Sequence, residues 1–105
     1  MPNGEDRNLI RMLSTIGGFR ILYGRWPKRI RVEPHIIRWL NHFLSHAELS
    51  SFNEKIQLVP LDDEDFIADD DEGCSYSLME YGHPSRYPDL DPAEWLGLPG
   101  YIRRI

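Results

Sequence analysis

Eight carboxylates crowd the stretch between Asp62 and Glu72: Asp62, Asp63, Glu64, Asp65, Asp69, Asp70, Asp71 and Glu72. Carboxylates this dense suit three kinds of chemistry. They can hold a divalent cation, imitate a row of phosphates, or draw in a basic protein surface. The cation reading rests on Asp69 and Asp71 at alternate positions. It fails at the next oxygen position, which is Gly73, and no glutamate stands at the bidentate offset. No metal site is therefore assigned. A basic partner protein fits Asp69, Asp70, Asp71 and Glu72, which would attract it over a distance. Beside that stands a plain alternative, in which the acids are a solvated hairpin tip that keeps a sheet edge from aggregating.

A second constellation is basic: Arg20, Arg25, Lys28, Arg29, Arg31 and Arg38, with Tyr23 and Trp26 among them. Arginines interleaved with aromatic rings suit phosphates and stacked bases. Arg25, Trp26, Lys28, Arg29 and Arg31 thus make up a nucleic-acid-binding alternative. The same set also suits an acidic protein, or the chain's own acidic half.

Other reactive residues lead less far. His42 and His46 are four apart, a spacing that can hold zinc on a helix. His35 lies too far along to share that ion, and no further ligand can be placed, so a wet helix flank beside Trp39 is the simpler reading. Cys74 lies among acids rather than beside the cations that activate a thiol nucleophile. Ser75, Ser77 and Ser85 have no nucleophile-elbow context. Phosphate-binding glycine loops, metalloprotease signatures and paired CxxC motifs are absent. No catalytic residue and no cofactor are assigned.

Charge polarises the chain. The net charge is −5. Residues 1–46 carry eight arginines and lysines against three acids, or +5; residues 47–105 carry four against fourteen, or −10. Such a chain either folds its halves onto each other or presents two faces of opposite sign. With 105 residues, 41% of them hydrophobic, a single domain with a modest core is expected. One cysteine forbids an intramolecular disulfide and fits a reducing, cytoplasmic setting. No apolar run approaches the roughly 20 residues that cross a bilayer. The N-terminal MPNGEDRNLI lacks a signal pattern, and no membrane partner is expected.

The elements that must position these groups centre on KRIRVEPHIIRWLNHFL, residues 28–44. Ile30 and Val32 alternate with Arg29 and Arg31, the period of a half-buried strand. Pro34 suits the first position of a helix, since its missing N–H would have no intrahelical partner. Ile36, Ile37, Trp39, Leu40, Phe43 and Leu44 then fall in one arc of a helix over 34–45, with Arg38 and Asn41 opposite.

Upstream, Glu5 to Ile16 predicts an amphipathic helix that Gly17-Gly18 ends, because glycine readily takes the left-handed closing conformation. Phe19 to Tyr23 reads as a strand that forms a hairpin with 28–32 across Gly24-Arg25-Trp26-Pro27. Downstream, Ser45 to Asn53 reads three ways: a helix extension, a second short helix, or a loop. Lys55 to Leu61 is a strand whose Pro60 suggests an edge. Phe66 to Ala68 and Cys74 to Tyr81 are the arms of a hairpin with the acidic reversal between them. Residues 82–105 form a tail rich in proline and glycine with one helical turn, started by Asp91 as N-cap, Pro92 and Glu94. Its Trp95, Leu96, Leu98 and Tyr101 must dock, either on the domain itself or on a partner or second copy. For a partner, Trp95 and Leu98 are the anchors, tryptophan being a natural hot spot.

The sum is α+β: a small antiparallel sheet of about four or five strands, with one or two amphipathic helices on one face and an extended C-terminal tail. Residues 1–81 form the domain, and 82–105 dock on it. The expected function is non-catalytic protein binding through the acidic hairpin and apolar tail, as in an inhibitor, an immunity or antitoxin-like protein, or a defence-system accessory. The nucleic-acid module is the alternative. Leu40→Asp should be among the most damaging single substitutions, since it puts a charge where a side chain worth about 1.5–3 kcal/mol is buried. Loss of cooperative thermal unfolding would register it.

Overall fold

A computed structural model of the chain describes residues 4–86 and 88–98. Helix α1 (Gly4–Tyr23) is followed by strand β1 (Arg29–Val32) and helices α2 (Pro34–Phe43) and α3 (His46–Lys55). Strands β2 (Gln57–Pro60), β3 (Ile67–Asp69) and β4 (Ser75–Ser77) come next, then the short helices α4 (Leu78–Tyr81) and α5 (Pro92–Leu96). The fold is α+β, with a four-stranded sheet in the order β2-β1-β3-β4. The β1–β3 and β3–β4 pairs are antiparallel, but β1 and β2 are parallel, so the sheet is mixed. The reason is the connection: α2 and α3 carry the chain back over the sheet, so β2 starts at the same end as β1.

The best-patterned stretch folds as its pattern predicts. Ile30 and Val32 are fully buried, and Arg29 and Arg31 lie on the other face. In α2, Ile36 and Leu40 point into the core, joined by Leu44 just after it. Phe43, at the edge of the arc, stacks on Trp39 at 4.7 Å and stays 37% exposed. The ambiguous stretch after it is a separate helix. Ser45 caps it by accepting from Glu48 N–H, while the Glu48 carboxylate accepts from Ser45 N–H, the reciprocal pair that restarts a helix after two extended residues, Leu44 and Ser45.

The largest departure lies upstream. Residues 19–23 are not a strand, and no hairpin joins them to 28–32. Helix α1 runs straight through Gly17-Gly18 to Tyr23. The apolar spacing of Leu9, Met12, Leu13 and Ile16 continues to Phe19, and all five are buried. The glycines serve proximity rather than termination. A Cβ on Gly18 would lie inside the Tyr76 ring, and one on Gly17 would lie 3.2 Å from Pro92. The helix stops six residues later, where Gly24 takes φ +75° and its N–H bonds back to the Arg20 carbonyl.

The hairpin β3–β4 has the expected reversal but a shorter second arm. Its strand ends at Ser77, whose hydroxyl caps the helical turn α4 by accepting from Glu80 N–H. In the tail, Asp91 caps α5 and Gly97 closes it in the left-handed region. Helix α5 packs on α1 and α3, and Ser51 Oγ donates to the Leu96 carbonyl. Leu96 and Leu98 are completely buried. Tyr101 lies outside the described residues. One core results, with α1, α2, α3 and α5 contributing to it alongside the inner sheet positions Ile30, Val32, Ala68 and Tyr76. No helix among the described residues is long and apolar enough to cross a membrane.

Gly18→Ala sets two effects against each other. Helix propensity alone would stabilise by about 1 kcal/mol. The added methyl, however, must displace Tyr76, whose hydroxyl is held by the Gly82 carbonyl and whose other neighbour is Tyr81. Overpacking should win, with a net loss of about 1–3 kcal/mol in urea unfolding. A gain in stability would show that the ring can move aside.

Candidate functional site

The register of β1 against β3 sets Arg29 opposite Asp69 and Arg31 opposite Ile67. Side chains alternate across a strand, so Arg29, Arg31 and Asp69 share the outer face of the sheet. Asp69 stands between the two arginines and binds both. Its Oδ1 accepts from Arg29 Nε at 2.7 Å and its Oδ2 from Arg31 Nε at 2.6 Å. Arg29 Nη1 reaches on to Asp71 Oδ1 at 2.7 Å.

One residue further along, Asp70 organises the reversal from inside. Its Oδ1 accepts from the backbone N–H of Glu72 and of Cys74, both at 3.0 Å. Its Oδ2 takes Arg25 Nε at 3.0 Å and Nη2 at 2.6 Å. Arg25 also donates to Cys74 Sγ at 3.0 Å, and its guanidinium lies over the Tyr23 ring. The Asp70 side chain is only 3% exposed, whereas Asp71 and Glu72 are 72% and 75% exposed. Burial would push the Asp70 carboxyl up. The Arg25 guanidinium and the two backbone N–H groups outweigh it and hold the carboxyl below the usual range. Hydrogen bonds to their carboxylates push the Arg25 and Arg29 guanidinium groups up in turn.

The hairpin acids and the arginines of residues 25–31 are therefore one cluster. Arg25, Arg29 and Arg31 are engaged by Asp69, Asp70 and Asp71 of the same chain. Lys28 is exposed beside them. Trp26 does not project alone: it stacks within 5° of parallel on Trp95 at 4.3 Å, with the Arg20 guanidinium over its ring at 5.1 Å. Arg20 in turn forks onto Asp89 through Nε at 2.9 Å and Nη2 at 2.8 Å. That bond pulls the Asp89 carboxyl down against a smaller effect of burial. Asp89, Arg20, Trp26 and Trp95 form a ladder that fastens the tail to α1. Leu98, fully buried in the chain's own core, offers no surface to a partner.

His35, His42 and His46 are exposed. Among the described residues no three histidine, cysteine, aspartate or glutamate side chains converge on a point where a metal ion could be held. A groove of about 540 Å³ runs between α1 and the proline-rich segment, lined by Leu13, Gly17, Pro84, Pro88 and Pro92 among others. None of the candidate partner-binding or nucleic-acid-binding residues borders it; Gly17, Ser85, Asp91 and Pro92 do.

Asp65 is the residue that sequence reasoning missed. It is 7% exposed, in contrast to its exposed neighbours Asp62, Asp63 and Glu64. Its carboxylate accepts from Phe66 N–H at 2.7 Å, Met79 N–H at 3.0 Å and the Ser77 hydroxyl. Nothing in the run of acids sets it apart. The signal lay twelve residues away, at Ser77, where the strand ends.

The fold and cluster define an α+β protein with a small mixed sheet and a self-neutralised hairpin. No family model, curated protein or solved structure matches this chain.

Acid should dissolve the cluster. A carboxyl held low in the folded state contributes stability that is complete above its unfolded pKa of about 3.9 and lost as pH falls through the folded value. Thermal melts taken downward from pH 5 should therefore show a falling Tm. Asp70→Asn should melt lower at neutral pH and show a shallower acid decline. Equal acid slopes in the two proteins would remove Asp70 from the account.

Proposed function

We propose that this chain is a non-catalytic cytoplasmic protein that regulates a basic partner protein by binding it, in the manner of an inhibitor, an immunity or antitoxin-like protein, or a defence-system accessory. The observation that carries the reading is the unequal fate of the charges. The cations best placed for an external ligand, Arg25, Arg29 and Arg31, are bound to internal carboxylates. Exposed cations such as Arg7, Arg11, Arg38 and Lys55 are spread over three helices and make no stripe. The acids are in surplus: Asp62, Asp63 and Glu64 remain exposed, and Asp71 and Glu72 stay exposed even though they lie within ion-pair distance of Arg29 and Arg25. A surface of that sign accelerates encounter with a basic protein and repels a phosphate backbone.

Within this reading Asp69 and Asp70 hold the hairpin's shape, and Asp71 and Glu72 supply attraction at its tip. Trp95 positions the tail. The nucleic-acid alternative would require Asp69 to release both arginines at once.

Fluorescence anisotropy with labelled duplex and single-stranded DNA at low salt should show no binding. Salt-sensitive binding that Lys28→Glu weakens would replace this reading with the nucleic-acid one.

A further inference from the structure

The proline-rich segment lies along α1 without filling the space between them. It is pinned to the helix at His83, whose Nδ1 lies 2.9 Å from Ser14 Oγ, and at Asp89, which takes the fork of Arg20. Pro88 and Pro92 close on Gly17, where a side chain would stand in their way. Two cavities remain beside these contacts, one of about 540 Å³ and one of about 270 Å³. The larger is floored by Ile10, Leu13 and Gly17, which share one face of α1 at the spacing i, i+3, i+7. Its other wall is Pro84, Pro88 and Pro92. Proline has no backbone N–H and a stiff ring, so this wall offers the helix no hydrogen bond at those positions.

The smaller cavity differs in kind. Three of its six lining residues are charged: Arg20, Arg86 and Asp89. Asp89 is already paired, since it accepts from Nε and Nη2 of Arg20, whose Nη1 donates to the Gly24 carbonyl. Arg86 is left over. It is exposed and bonds to no described residue, whereas Arg20, Arg25, Arg29 and Arg31 each hold a carboxylate. Arg86 and Pro88 line both cavities, so the free guanidinium stands where the charged space meets the apolar one. The acid facing the larger cavity is Asp91, whose Oδ1 is taken by Ala93 N–H as the cap of α5.

We propose that this groove binds a small anionic amphiphile, of the class of a medium-chain carboxylic acid, with its head on Arg86 and its chain between α1 and the prolines. Charge complementarity selects the head: the one guanidinium of the charged cavity without an internal partner can grip a carboxylate through two parallel N–H donors. The apolar floor and wall select the body, and a volume of about 540 Å³ lies in the range of small-molecule sites. The inference goes beyond the basic-partner reading and does not depend on it.

The test titrates the full chain, labelled with ¹⁵N and at its methyl groups with ¹³C, with sodium decanoate below its micellar concentration. Decanol and decylammonium serve as controls. Decanoate should shift residues 10–21 and 84–92 saturably, and its chain should show contacts to the Ile10 and Leu13 methyl groups. Decanol should bind more weakly and decylammonium most weakly. Arg86→Gln, an exposed substitution, should weaken decanoate about tenfold or more and leave decanol unchanged. No saturable shift with decanoate, or shifts confined to other residues, would overturn the proposal. Tighter binding of decylammonium would also overturn it, making Asp91 the selecting group. Shifts at 10–21 on concentrating the protein alone would assign the groove to a second copy instead. A glutamate–leucine peptide that binds there more tightly than decanoate would assign it to an acidic protein segment.

Discussion

Asp69 sits between Arg29 and Arg31 because β1 and β3 pair in one register and no other. A slip of β1 by one residue would turn Arg29 and Arg31 to the apolar face, away from Asp69, and bring Ile30 and Val32 out to water. Hydrophobic alternation and charge pairing therefore specify the same alignment, each penalising the errors of the other. From that alignment follows the position of the reversal, and with it the place of Asp70 beneath Arg25. The charge asymmetry of the chain is thus largely a folding device. A positive front half and a negative back half are drawn together across the central strand pair, and what the outside meets is the remainder.

Much of this was legible in the sequence where a pattern is local. Strand β1 and helix α2 followed from alternation and from a 3.6-residue stripe. The starts of α5 and of the hairpin reversal followed from capping and turn residues. Gly17-Gly18 was not legible, because glycine has two uses that look alike in a sequence. It ends helices by taking positive φ, and it lets a neighbouring ring approach a helix closely. Only the position of Tyr76, on a strand 58 residues away, decides between them. The parallel β1–β2 pair was hidden for a similar reason. It depends on whether the stretch after Ser45 extends α2 or turns back, and the reciprocal bonds of Ser45 and Glu48 settle that.

The site residues divide along the same line. Which acids exist was plain; which of them are internal was not. Asp70 and Asp65 are buried carboxylates that accept from backbone N–H groups, while Asp62 and Asp71, the same residue type in the same runs, are exposed. Composition cannot separate an acid that builds a turn from one that faces a partner. The partners that make the difference, Arg25 and Ser77, stand 45 and 12 residues off. Trp26 and Trp95 show the same limit: the first read as a stacking ring for bases and the second as docking on the domain or on a partner, and nothing in the sequence said that they stack on each other.

Both edges of the sheet are partly blocked. On β2, Gln57 and Leu61 donate to β1, so the alternate positions 58 and 60 face outward. Pro60 has no N–H to offer there, leaving Leu58 as the single outward donor of that strand. On β4, the Tyr23 hydroxyl donates to the Ser75 carbonyl at 2.7 Å and accepts from Ser75 N–H at 3.4 Å, so one phenol occupies both outward groups of that residue. Tyr23 is itself fixed against Phe19 at 4.6 Å, at the end of the helix whose glycines admit Tyr76. A guest strand would find one donor on one side and a tyrosine on the other. Strand addition is therefore disfavoured at both edges.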